Sequence, residues 1–243
     1  MPVESAEQPC EVEVKQPPLP APWQHTLLLA FVLVLWAIYG ALRANLTTSQ
    51  MPQLIRYIST GILQWLLVGS TIAGLYHRRS FILGVLGLPA RRRLGGDLLS
   101  ALAILVSGWI VVIALRIGLR HTSLHVDSAN NAVKALLPNT PQEMILWVFV
   151  AMTAGVCEEF IFRGYLQRQV SAWSGSAVVG IAIPSLIFGC LHLYQGIGSA
   201  IGITGLGLVY AICTARIGNV RSVMIAHASQ DLLVGLIHYL RHS

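Results

Sequence analysis

Three short stretches late in the chain hold ionisable side chains inside otherwise apolar sequence. AGVCEEFIFRGYLQR carries Glu158, Glu159 and Arg163, FGCLH ends on His192, and HASQD runs from His227 to Asp231. A charge at the centre of a bilayer costs about 3 kcal/mol on insertion scales, so such groups are functional suspects. Glu159 precedes Arg163 by four residues and shares its helical face, within reach of an ion pair. Glu158 projects about 100° further round the helix, free to meet a different neighbour. His227 and Asp231, also four apart, share a face. This spacing gives the two glutamates different work, Glu159 structural and Glu158 reactive. The blander alternative has both carboxylates pairing with Arg163 to lock helices together, and a lone histidine in a helix is more often a hydrogen-bonded core residue than a ligand.

A carboxylate in a low-dielectric pocket can take a proton from water and return it to a leaving amine, which is the equipment for peptide hydrolysis. Neutral imidazoles at His192 and His227 suit a divalent metal, zinc foremost, that acidifies the attacking water. They equally suit direct stabilisation of an oxyanion, and the residues alone leave both open. Cys157 and Cys190 flank this group, but no basic residue adjacent in sequence activates either thiol, and free cysteine packs well among apolar neighbours. His238, three turns beyond His227, sits near a span end and suits an interfacial hydrogen bond.

The elements that must carry these residues are hydrophobic. Of 243 residues, 55% are hydrophobic and only 11% charged, with mean hydropathy +0.67, outside the range of a soluble globular domain. The expected fold is all-α, a polytopic transmembrane helical bundle of about seven spans near 25–43, 54–76, 97–119, 142–168, 176–195, 198–216 and 219–240. Phe81–Arg93, too short to span and ending in three arginines, is expected in the interface. Residues 1–24, with four glutamates and one lysine, form an expected disordered tail; 25–135 are expected N-terminal transmembrane helices and 136–243 a C-terminal transmembrane core that holds the three stretches. At 1.5 Å per residue Glu158 lies about 18 Å, His192 about 24 Å, His227 about 12 Å and Asp231 about 18 Å from the cytoplasmic ends of their spans, so all can share one water-accessible site at mid-membrane. A net charge of +6 does not point to nucleic acid, because the basic residues lie between apolar runs. Cys10, Cys157, Cys190 and Cys213 show no zinc-ribbon spacing or disulfide framework. Asn45-Leu46-Thr47 reads as a glycosylation sequon only where that pathway exists and residue 45 is lumenal.

At these residues the chain resembles the CAAX protease and bacteriocin-processing family (CPBP, or Abi) of intramembrane metalloproteases, whose pattern is EExxxR, then FxxxH, then HxxxN or HxxxD. Glu158, Glu159 and Arg163 match the first part, Phe188 and His192 the second, His227 and Asp231 the third. The resemblance covers roughly residues 136–240. It implies a helical-bundle endopeptidase with Glu158 activating water, His192 and His227 as partners, and a membrane-borne peptide or protein as substrate, which in eukaryotic relatives is a prenylated CAAX protein. Asp231 departs from the asparagine of many prenyl-protein peptidases. An ionised aspartate cannot donate to an oxyanion, so Asp231 must carry a proton, orient His227 or bind a metal. Two alternatives from other classes are a non-catalytic membrane scaffold of the immunity type and a transporter or proton relay, the latter without a visible inverted repeat.

Arg78, Arg79, Arg91, Arg92 and Arg93 fall in one connection, and the positive-inside rule turns that connection and the N-terminus towards the cytoplasm. Reporter fusions at residue 90 are expected to give a cytoplasmic signal; an exported signal there reverses the orientation.

Overall fold

The computed structural model describes residues 20–45, 52–75, 79–86, 94–122 and 136–242. Cys10, Lys15, most of the expected tail, Leu46 and Thr47 of the sequon, four of the five clustered arginines and Asp127 lie outside the described residues. Among the described residues the chain is helical and has no strand. We number the helices α1 (Trp23–Asn45), α2 (Gln53–Gly74), α3 (Arg79–Val85), α4 (Leu94–Leu119), α5 (Pro141–Ser174), α6 (Ala177–Leu191), α7 (Ile197–Ile217) and α8 (Arg221–His242).

Each of the seven expected spans falls on one of these helices, and the interfacial segment falls partly on α3, whose Val85 is buried and accepts the Val220 N–H at 3.1 Å. Four helices, α4, α5, α7 and α8, are long and apolar enough to cross a bilayer. The protein is an integral membrane protein. Among the other expected spans, α6 and α2 differ for physical reasons. α6 ends at Leu191 after 15 residues, about 22 Å of helix and short of a hydrocarbon core of about 30 Å. α2 carries Arg56, Gln64 and several hydroxyls, and α1 contains the apolar stretch Trp23–Tyr39.

α5 starts where its sequence says it must. Thr140 accepts the Glu143 N–H, the Glu143 carboxylate returns to the Thr140 N–H, and Pro141 takes the first turn, a complete capping box. The helix is α-helical to Glu159, π-helical from Phe160 to Leu166, and α-helical again from Gln167. All seven π-helical residues are buried, so this wide segment is packed on every side, as expected of a strut at the centre of a bundle. Tyr165 meets Thr26 of α1 at 2.7 Å, Gly164 packs on Val85 of α3, Phe162 sets its ring edge-on to Phe188 of α6 at 5.1 Å, and Arg163 donates to the Gly207 carbonyl of α7 at 3.1 Å.

Small residues permit these approaches. A Cβ on Gly155 would stand 2.7 Å from the Ala228 backbone nitrogen, so α5 and α8 touch backbone to backbone just before the two glutamates. A Cβ on Gly207 would stand 3.0 Å from the Arg163 guanidinium.

At this centre Arg163 Nη1 donates to Glu159 Oε1 at 2.9 Å, with both side chains buried, and the guanidinium lies 4.5 Å over the Phe188 ring. Removing one partner of a buried pair strands the other charge, at about 3–5 kcal/mol. Glu159→Ala is therefore expected to lower folded yield and melting temperature in detergent well below those of Glu158→Ala; equal melting of the two variants contradicts this division of roles.

Candidate active site

α5 presents Glu158 and Glu159 side by side, and the close contact at Gly155 sets the middle of α8 against them. Glu159 turns inward. Its Oε1 accepts from Arg163 and also meets His227 Nδ1 at 2.7 Å. An ionised carboxylate paired with arginine only accepts, so Nδ1 of His227 is the protonated nitrogen. The bond aims Nε2 outward, where it lies 3.9 Å from Glu158 Oε2 and 3.6 Å from Asp231 Oδ2.

Burial separates the three carboxylates. The Glu159 side chain is 0% exposed, whereas Glu158 and Asp231 are 22% and 30% exposed on either side of the His227 edge. The α8 backbone is pinned at the same level, since Trp147 of α5 donates to the Asp231 carbonyl at 2.9 Å. Tyr210 of α7 closes the other flank, its ring 5.7 Å from His227 and its hydroxyl donating to Gln230 at 3.2 Å.

His192 comes from the end of α6. The helix stops there because residue 192 leaves helical geometry (φ −100, ψ 9), a 3₁₀ turn covers Leu193–Gln195, and Gly196 takes positive φ (91°) before α7 begins. His192 Nδ1 donates to the Phe188 carbonyl at 2.8 Å. Its ring lies 4.9 Å from that of Phe188, which meets His227 edge-on at 6.1 Å. Phe188 thus contacts both imidazoles and the Arg163 guanidinium.

Of the residues singled out in the sequence, Glu158, Glu159, Arg163, His227 and Asp231 converge directly. His192 joins them through Phe188. Cys157 is buried and Cys190 exposed, and His238 reaches Asn139 at 3.2 Å, away from this group at the start of α5. Sequence reasoning missed Gln64 of α2, whose amide donates to Glu158 Oε1 at 2.9 Å. The available signal was an amide inside an apolar helix.

A divalent metal on His192 and His227 was one of the two roles that the residues left open, the other being direct stabilisation of an oxyanion. Both rings hold the Nδ1–H form that leaves Nε2 open, as in metal-binding histidines. Among the described residues, however, no three His, Cys, Asp or Glu side chains are grouped to hold an ion, and two imidazoles do not complete a tetrahedral zinc site. The donor set does not fit as it stands.

No curated protein and no solved structure matches the chain. Residues 140–233 match the family model described as type II CAAX prenyl endopeptidase Rce1-like. That segment begins at the Thr140 cap, ends just beyond Asp231 and contains every residue of the cluster except Gln64. Over that segment the chain is similar to the CAAX protease and bacteriocin-processing family.

Proposed function

We propose that the protein is a membrane endopeptidase of CAAX type that hydrolyses a peptide bond near the C-terminus, or in the membrane-proximal part, of its substrate with water activated by Glu158. The observation that carries this reading is the 3.9 Å separation of Glu158 Oε2 and His227 Nε2. A water about 2.8 Å from each atom fits between them at roughly a right angle. Its oxygen then has one partner that takes a proton and one that fixes its position.

In this reading Glu158 takes a proton from the water as the oxygen attacks the scissile carbonyl. The tetrahedral intermediate collapses by breaking the C–N bond, and the proton on Glu158 passes to the departing amine, which regenerates the carboxylate. An imidazole that donates to the oxyanion must carry a second proton at Nε2, because Nδ1 of His192 is committed to Phe188 and Nδ1 of His227 to Glu159. Asp231, 3.6 Å from His227 Nε2, is placed to hold that proton in the ring. This gives the aspartate work that an asparagine would do differently. Glu159 and Arg163 touch no reacting atom and keep the His227 ring in register.

The bilayer is the second partner of the site. Outward hydrophobic residues on α4, such as Leu99 and Ile110, suit lipid contact, so a substrate with a lipid-modified or hydrophobic end reaches the site from the membrane. The N-terminus is assigned to the cytoplasmic side on the arginine distribution. The test is cleavage of a quenched-fluorescent farnesyl-cysteine CAAX peptide by the purified full chain in liposomes. Glu158→Gln is expected to reduce the rate by about a hundredfold to ten-thousandfold with an unchanged melting temperature. Equal rates for wild type and Glu158→Gln overturn the assignment.

A further inference from the structure

Gln64 lies in the N-terminal half of the chain, outside the segment that matches the family model. The buried face of α2 is the stripe Tyr57, Gly61, Gln64, Val68 and Thr71, spaced alternately by four and three residues as a helix packed along one side requires. Gln64 is the middle member of that stripe. It is 8% exposed, so an amide has been taken out of solvent at a position where an apolar side chain would pack without that cost.

One interaction offsets the cost. Nε2 of Gln64 donates to Glu158 Oε1 at 2.9 Å, and among the described residues its Oε1 has no hydrogen-bond partner. The polarity of residue 64 therefore serves Glu158. The bond also makes the two oxygens of Glu158 unequal: Oε1 is tied to α2, and Oε2 is the one that faces His227. A glutamate side chain has three rotatable bonds, so a base without this tether would spread its carboxylate over several rotamers.

The geometry points to Gln64 as the positioning residue of the Glu158 base, supplied by the N-terminal helices. This rests on the peptidase reading above. Gln64 touches no reacting atom; it holds Oε2 towards the attacking water and leaves substrate binding to other groups.

The test compares wild type, Glu158→Gln, Gln64→Met and Gln64→Asn as full chains in liposomes with the farnesyl-cysteine peptide. Gln64→Met keeps length and burial and removes the donor. Its kcat is expected to fall about tenfold to a hundredfold, with KM within about twofold and melting temperature unchanged. Gln64→Asn, one methylene too short to reach, is expected to lose kcat similarly and serves where the methionine variant folds poorly. With wild type active and Glu158→Gln inactive, wild-type kcat in both Gln64 variants overturns the positioning role and leaves the peptidase reading intact. Loss confined to KM, or melting temperatures lowered in both variants, overturns it also, since either marks a binding or packing role. A wild type that cleaves no faster than Glu158→Gln removes the peptidase reading and the role of Gln64 with it.

Discussion

The Glu159–Arg163 pair is the constraint from which the rest of the molecule follows. Two full charges lie at the centre of an apolar bundle, 2.9 Å apart, and neither reaches solvent. Hydrogen bonds around them come from neighbouring helices, because an incompletely paired buried ion is costly. Glu159 Oε2 has no hydrogen-bond partner among the described residues. α7 supplies the Gly207 carbonyl and α8 supplies His227, while the rings of Phe188 and Tyr210 face the guanidinium at 4.5 and 5.5 Å. Three further helices are thereby held to the π-helical middle of α5. Glycines at 155 and 207 let the backbones come close enough for these bonds to form.

A rigid centre stands beside a second carboxylate of different exposure. Glu158 and Glu159 are adjacent in sequence, yet one is enclosed and the other reaches a partly open edge. A helix achieves this separation without any loop, since consecutive residues diverge by about 100°. His227 joins the two environments, with one ring nitrogen on Glu159 and the other beside Glu158. Movement of the Arg163 lock would turn the imidazole edge, so stability at the centre and geometry at the site are coupled through a single side chain.

Much of this was legible in the sequence, and the reasons are specific. The i,i+4 relation of Glu159 to Arg163 dictates their pairing in either helical form, and the HASQD spacing places His227 and Asp231 on one face. Long apolar runs announced the helices. Three features were not legible. The π-helical stretch depends on packing from all sides, which no local pattern encodes. The break before the next helix was legible near Gly196, but α6 stops earlier, at Leu191, because His192 leaves helical geometry and a 3₁₀ turn covers Leu193–Gln195. Glu159 as a partner of His227, and Gln64 as a partner of Glu158, join residues 68 and 94 positions apart through helix packing.

The central claim is that Glu158 activates water for peptide hydrolysis on membrane-borne substrates, while its neighbour holds the framework. Its most direct test is quantitative mapping of protein C-termini in membrane fractions of cells expressing wild type or Glu158→Gln at equal levels. The account predicts truncated C-termini in the wild type that disappear in the variant, with the matching uncut precursors accumulating. Identical sets of C-termini in the two membranes would contradict it.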